Sequence, residues 1–348
     1  MKLGIIFGGN SYEHEISIVS AISLKKILFN LDIFIFLDTD RTLYLIPKDK
    51  MKAKTFSSGE YKKEKIVTLS NSKLLVGGGL FKPKEIQADI YINGIHGQDG
   101  EDGTFSSVLD FYNLNYIGPR VQASVVSYDK HLTKLYAKEM GVKTLDYVVI
   151  KKGEDISNIK LPFDYPVIIK PTTLGSSIGV NIVESANDLE YGLDIAYEFG
   201  NSVIIEPFID GVKEYNLAGF RANDYYFSMV EEPQKAKFLD FEKKYMDFAR
   251  TEQVFKAQIS QDLEQKLKDN FINIYNTIFD GSLIRCDFFV VDDEVYLNEI
   301  NPIPGSMANY LFEDFSMAID LLTNYLPMQN RIDIKYQYID AIHSAKGK

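Results

Sequence analysis

With 348 residues, 45% of them hydrophobic and 25% charged, the chain has ordinary globular composition and, at roughly 100 to 200 residues per domain, room for two or three domains. Its formal charge of −11 argues against broad contact with nucleic acid or anionic lipid, since either needs clustered Lys and Arg. Cys286 is the only cysteine, which excludes an internal disulfide, and no apolar stretch approaches the ~20 residues of a membrane helix. The apolar run after Lys2, Leu3 to Phe7, is too short for a signal-peptide core, so a soluble cytoplasmic protein is expected.

Lys2 to Phe7 reads as a buried strand, Gly8 to Glu15 as a tight turn and Ile16 to Phe29 as a helix, with strands near Phe34 to Leu37 and Ala88 to Asn93. The alternation predicts an open parallel α/β layer of Rossmann-like type. Such layers bind ligands beyond the C-terminal ends of their strands, where Gly8 to Ser17 and His96 to Thr104 both fall and can share a site. Lys48 to Lys65, polar and basic, reads as a solvated surface segment. A short helix around Val121 to Ser127 precedes one at Asp129 to Met140, ended by Gly141 in the left-handed cap position.

Strands recur at Leu145 to Ile150, Pro166 to Lys170, Val180 to Glu184 and Val203 to Glu206, with a helix at Asn187 to Phe199. Then come strands near Tyr215 to Phe220 and Tyr225 to Glu231, a helix from Gln261 to Phe279, a hairpin at Ile284 to Asn301, and a helical tail. The coarse picture is three α/β lobes, spanning residues 1–121, 122–208 and 209–348.

The hairpin carries the most chemistry. Side chains alternate along a strand, so Arg285 and Asp287 share one face, as do Glu299 and Asn301. A three-residue loop, Asp292 to Glu294, sets Asp287 opposite Glu299 with all four groups on one side; a two-residue turn at Asp292-Asp293 slips the register by one and separates them. The lack of Gly in this turn favours the longer loop. Facing carboxylates need a cation between them, and an Asp, Glu and Asn oxygen set suits Mg²⁺ on nucleotide phosphates, with Arg285 beside the transferred group. The rigid Pro302-Ile303-Pro304-Gly305-Ser306 turn that follows can hold N–H groups against an oxyanion.

Upstream, an apolar strand ends at Lys170 and runs into Thr172-Thr173-Leu174-Gly175-Ser176-Ser177-Ile178-Gly179, whose N–H groups can fold over phosphates. A plain glycine-rich hairpin accounts for the same residues. No G-x-x-x-x-G-K-[ST] occurs, which excludes a P-loop. Glu206 ends an apolar segment that can wall adenine, and Glu214 can accept from ribose hydroxyls; both also read as ordinary surface or capping glutamates. Glu13-His14-Glu15 precedes a helix, where acids complement the dipole, and a metal there lacks a second His or Cys. The acidic loop His96 to Thr104 fails the EF-hand spacing.

In order along the chain, Gly8 to Ser17, His96-Gly97 with Glu101 to Thr104, Lys170-Pro171 with Gly175 to Gly179, Glu242 to Tyr245, Arg285 to Asp287, and Asn298 to Pro302 with Pro304 to Ser306 resemble the D-alanine:D-alanine ligase family of the ATP-grasp superfamily. The resemblance implies a three-lobed ATP-grasp fold and ATP-driven joining of two D-alanines through a D-alanyl phosphate, supplying the dipeptide of peptidoglycan. It further implies Lys130, Lys170 and Lys244 on ATP phosphates, with Gly175, Ser176 and Ser177 beside them, Glu206 near adenine and Glu214 on ribose. Two Mg²⁺ ions, for which Mn²⁺ can substitute, would sit on Asp287, Glu299 and Asn301. Glu15 would take the first ammonium and bond with Ser176 and Tyr245 across a lid at Phe238 to Phe255; His96 would lie near the first substrate. Arg285 and the Gly305 N–H would hold the oxyanion, and a homodimer is implied.

One position departs from the pattern: Tyr310, where better-known members carry a small hydroxyl residue before the leucine, here Leu311, that helps bind the second substrate. It keeps open D-lactate or D-serine as second substrate, while Tyr245 favours an amine. A regulatory ATP-binding scaffold without catalysis would lack phosphoryl-transfer groups, yet Lys170, Arg285, Asp287, Glu299 and Asn301 are all present.

Overall fold

The computed structural model describes residues 1–77, 82–157, 159–233, 256–276, 278–328 and 332–345. The first sheet comprises β1 (Leu3–Gly8), β2 (Leu31–Leu37), β3 (Leu43–Ile46), β4 (Lys65–Ser70), β5 (Lys73–Val76), β6 (Lys84–Ile86), β7 (Ile90–Asn93) and β8 (Tyr116–Ile117), in the order β6-β5-β4-β3-β2-β1-β7-β8. Strands β2, β1, β7 and β8 run parallel, and β3 to β6 extend the sheet as antiparallel neighbours. The expected parallel layer is therefore one half of a mixed sheet. Only residues 38–42 join β2 to β3, too few for the crossover a parallel partner requires.

Central strand β1 is buried along its whole length, and α1 (His14–Ile27) covers it with Ile18, Ala21 and Leu24. The segment Lys48 to Lys65, expected as plain solvated surface, instead folds back through α2 (Ala53–Ser57) and contributes to the core. Its lysines face water, but Phe56 and Tyr61 are buried, their rings 4.9 and 4.7 Å from that of Phe36. Apolar residues spaced among lysines bind the segment to the sheet through one face only.

Helices α3 (Thr104–Phe111), α4 (Val121–Tyr128) and α5 (Lys130–Glu139) lead into the second sheet. Asp129 caps α5 by accepting from the His131 and Leu132 N–H groups at 2.8 and 3.0 Å, and Gly141 follows it at φ 71°, as its sequence position predicts. The second sheet, β9 (Val148–Lys151), β10 (Val167–Pro171), β11 (Asn181–Val183) and β12 (Ser202–Pro207), is antiparallel in the order β11-β10-β12-β9 and is covered by α6 (Leu189–Tyr197). The third, β13 (Lys213–Arg221), β14 (Tyr225–Phe227), β15 (Ile284–Val291) and β16 (Glu294–Asn301), is antiparallel in the order β14-β13-β15-β16. It is backed by α7 (Gln261–Tyr275), whose Leu267, Phe271 and Ile274 recur at helical spacing and are buried. Helices α8 (Phe315–Thr323) and α9 (Ile339–Ala345) follow.

The β15–β16 hairpin corrects the expected three-residue loop. Val291 pairs with Glu294, leaving the two-residue turn Asp292-Asp293, with φ of 49° and 63°. Such a turn needs left-handed backbone at both positions, which Asp supplies without Gly. Alone, it would separate the carboxylates. The register shifts between Asp287 and Phe288, however, with Asn298 as the extra residue, and this bulge returns Asp287 to a position opposite Glu299 and Arg285 opposite Asn301.

Candidate active site

The loops after β1 and β7 meet, as their places at the strand ends require. Asp99 accepts from the Asn10 N–H at 2.9 Å and from Arg41 at 2.8 Å, and Ser17 Oγ accepts from the Gly8 N–H at 2.8 Å. These bonds bury Glu13 at the N-terminus of α1, where Ser176 Oγ, from the glycine-rich loop after β10, donates to Glu13 Oε1 at 2.6 Å. A Cβ at Gly97 would lie 2.2 Å from Ser11 Oγ and 2.8 Å from Glu13 Oε2, so only glycine lets this backbone pass. Glu13 Oε2 is buried with no hydrogen-bond partner among the described residues. Burial, reinforced by the charge of Glu101, pushes the Glu13 carboxyl up to about 7, against the Ser176 bond and the charges of His96 and Lys130.

The expected Glu15–Ser176 pair is not formed. Glu15 is exposed in the first turn of α1, because two residues along a helix turn a side chain by roughly 200° away from Glu13's direction. The other expected partner, Tyr245, lies with Lys244 and the lid at Phe238 to Phe255 outside the described residues. His96 is buried beside this pair, with Nε2 3.1 Å from Ser20 Oγ and Nδ1 3.5 Å from Glu101 Oε1.

Three lysines converge deeper in. Lys170 at the end of β10 reaches Glu206 Oε2 on neighbouring β12 at 2.6 Å, and Lys134 of α5 takes Oε1. Burial alone would raise the Glu206 carboxyl; the Lys170 and Lys134 charges override it and hold it at about 2. Lys130 donates to the Leu174 carbonyl, which ties α5 to the glycine-rich loop, and burial pushes its ammonium down against the pull of Glu299. Within that loop Leu174, Ser176 and Ser177 all take positive φ, and Gly175 stands between them.

On the third sheet, Arg285 holds Asp287 through two bonds of 2.6 and 2.7 Å, and Asn301 Nδ2 donates to Asp287 at 3.0 Å. Burial pushes the Asp287 carboxyl up to about 7; Arg285 opposes the rise, while the charges of Glu299 and Glu214 add to it. The oxygens on this face, those of Asp287, Glu299 and the Asn301 amide, fit a hard divalent cation. The bulged Asn298 turns its Oδ1 to within 3.4 Å of Lys170 Nζ, joining this face to the lysines. Gly305 follows at the turn after β16; Tyr310 is part-exposed with its hydroxyl 3.4 Å from Arg285, whereas the Leu311 side chain is packed in the core.

Lys134 and Ser20 are residues here that the sequence reading did not single out, whereas Glu13 and Asn298 stand in motifs whose roles it gave to Glu15, Glu299 and Asn301. Lys134 had a signal, standing one helical turn after Lys130.

Comparison with known families fits this geometry. Residues 2–119 match the family model described as D-ala D-ala ligase N-terminus, and residues 136–321 match D-ala D-ala ligase C-terminus. The chain belongs to the D-ala D-ala ligase family. Among its relatives, the D-alanine--D-alanine ligase of Sulfurimonas denitrificans is 57% identical and that of Wolinella succinogenes 54% identical, each over 100% of both chains. The crystal structure of the D-alanine-D-alanine ligase from Helicobacter pylori superposes with a TM-score of 0.85 at 47% identity, covering 95% of this chain and 100% of that one. As a member of the D-ala D-ala ligase family the protein has the ATP-grasp fold and is an ATP-dependent ligase. Among the described residues no helix is long and apolar enough to cross a membrane.

Proposed function

We propose that this protein joins two D-alanines into D-alanyl-D-alanine at the expense of ATP. The observation that carries the reading is the buried Glu13–Ser176 pair, in which one carboxylate oxygen is satisfied and the other is left to accept from a ligand. A substrate ammonium answers that need, since a buried carboxylate oxygen is costly unless it is paired.

Glu13 takes the ammonium of the first D-alanine, with His96 beside it, and Tyr245 joins Ser176 in this set. Lys130, Lys170 and Lys244 bind the phosphates together with the N–H groups of Gly175, Ser176 and Ser177. Glu206 sets Lys170 and lines the adenine end, and Glu214 takes the ribose. Asp287, Glu299 and Asn301 hold two Mg²⁺, or Mn²⁺ in their place, which supply charge neutralisation on the phosphates.

The first D-alanine's carboxylate oxygen attacks the γ-phosphorus, the bond to the bridging oxygen breaks, and ADP leaves. The second D-alanine's amine then attacks the carbonyl carbon of the acyl phosphate and gives up a proton, while the C–O bond breaks and phosphate departs. Arg285 and the Gly305 N–H stabilise the oxyanion between these events; one such donor is typically worth ~10²- to 10³-fold in rate.

Tyr310, in contact with Arg285, stands at the position to which the family pattern gives the second substrate's carboxylate, and this departure supports a second reading, with D-serine or D-lactate as the acceptor. Phosphate release with Mg²⁺ and ATP, measured with D-alanine, with L-alanine, and with D-alanine plus D-serine or D-lactate, tests both. Release with D-alanine alone and a mass matching D-alanyl-D-alanine is expected. Turnover only in a mixture would replace the main reading with the second, and no turnover in any arm would end both.

A further inference from the structure

We infer that Ser20 is a positioning residue that aims the Gly305 N–H, an inference that rests on the ligase reading above. Ser20 lies on α1, two turns beyond Glu13, and is buried. Its Oγ accepts from the Ser306 N–H at 3.0 Å, across 286 residues of sequence, and lies 3.1 Å from His96 Nε2. The Glu101 carboxylate oxygen 3.5 Å from Nδ1 favours the ring proton on that nitrogen, which leaves Nε2 to accept from the Ser20 hydroxyl.

The far end of this chain is a strained turn. Ser306, Met307 and Ala308 have φ of 48°, 54° and 49°, three successive left-handed residues without a glycine. Each is disfavoured because Cβ crowds the following carbonyl, and such backbone persists only where its surroundings hold it. The supports are the Ser20 bond, the Met307 N–H on the Pro304 carbonyl at 2.7 Å, the Asn309 amide on the Ser306 carbonyl at 2.8 Å, and burial of Met307 and Ala308. Of these hydrogen bonds, those to Pro304 and from Asn309 lie within the turn. The Ser20 bond fixes its backbone to α1, the helix that begins at Glu13. Ser306 adjoins Gly305, so the bond sets the direction of the oxyanion donor relative to the first-substrate site. Ser20 itself touches neither Glu13 nor Arg285 by any hydrogen bond among the described residues.

A donor displaced by about 1 Å costs on the order of 10²-fold in rate while leaving nucleotide binding intact. The test uses the full chain and measures dipeptide and phosphate together with the KM for ATP. For Ser20→Ala, kcat falls ~10- to 100-fold, the ATP KM stays within ~2-fold, and phosphate released per dipeptide rises above one. The excess comes from water attacking the carbonyl carbon of the D-alanyl phosphate, whose C–O bond breaks to give D-alanine and phosphate. Ser20→Cys keeps the volume with a weaker acceptor and falls between the two in both readouts. An unchanged kcat and ratio in Ser20→Ala overturns the inference, as does a fall in kcat with the ratio still at one. If the alanine protein does not fold, the cysteine protein decides by the same two readouts. A wild-type chain that makes no dipeptide would instead sink the ligase reading.

Discussion

Ser176 Oγ and Glu13 Oε1 lie 2.6 Å apart across 163 residues of sequence, and this bond joins the glycine-rich loop of the second sheet to the start of α1 in the first. It places Glu13, and not the exposed Glu15, beside Ser176, and the proposed function rests the first substrate's ammonium on Glu13. Removing one charge from a buried, hydrogen-bonded pair costs about 2 to 5 kcal/mol, so Glu13→Gln should lose roughly 30-fold or more in kcat/KM for the first D-alanine. Glu15→Gln, on the exposed side of α1, should stay within ~2-fold. Steady-state kinetics on the two proteins separate them, and equal losses would reverse the assignment.

The same carboxyl gives a pH dependence. Glu13 sits at about 7 through burial, with Glu101 adding to the rise and Ser176, His96 and Lys130 opposing it. An ammonium needs the ionised form, so kcat/KM for the first D-alanine should climb with pH and level off above about 7, and Glu13→Gln should abolish that limb. Stability runs the other way. Because the folded value lies above the ordinary 4.5, the contribution of Glu13 is complete below 4.5 and is lost as pH rises through about 7. Glu13→Gln should therefore raise Tm at pH 8 and change it little at pH 4; thermal melts at both settle the point.

Element types were legible because α5 and α7 each carry a helical period, with a cap at either end of α5, and because β1 is a short apolar run closed by Gly8-Gly9. The Glu13–Glu15 choice was not, since both acids stand at one helix start and only the approach of the Ser176 loop selects between them. Likewise the pairing of Asp287 with Glu299 was right for the wrong geometric reason: a tighter turn and a bulge cancel each other, and a bulge at Asn298 leaves no mark in residue types. The segment between β3 and β4 read as plain surface because its few apolar residues, such as Phe56 and Tyr61, stand among lysines.

The turn itself yields a prediction. Asp292 and Asp293 hold φ of 49° and 63°, where Asn and Gly are the favoured pair. Replacing them with Asn-Gly relieves left-handed strain and should stabilise by about 0.5 to 1 kcal/mol, or roughly 1 to 3 °C in Tm. Activity should not move, since both residues are exposed at the end of the hairpin remote from Asp287. A lower Tm would show that the carboxylates make contributions the turn geometry does not explain.

The deepest charges in the site offer the sharpest test. Both oxygens of Glu206 are taken, one by Lys134 and one by Lys170 at 2.6 Å, which is how a buried carboxylate comes to sit at about 2. Lys134→Met strips one partner from a buried ion set and should destabilise by about 3 to 5 kcal/mol. The folded value of Glu206 is below the ordinary one, so its contribution is present above pH 4.5 and lost as pH falls through about 2; with Lys134 gone, acid unfolding should begin at higher pH. Lys134→Met leaves Glu206 paired with Lys170, so adding Glu206→Gln strands that buried ammonium and the double mutant should recover little of the lost stability, a coupling that a double-mutant cycle measures directly. It should not recover ATP binding, because Lys170 then lacks the carboxylate that orients it. Recovery of the ATP KM along with Tm would mean that Glu206 serves the fold alone.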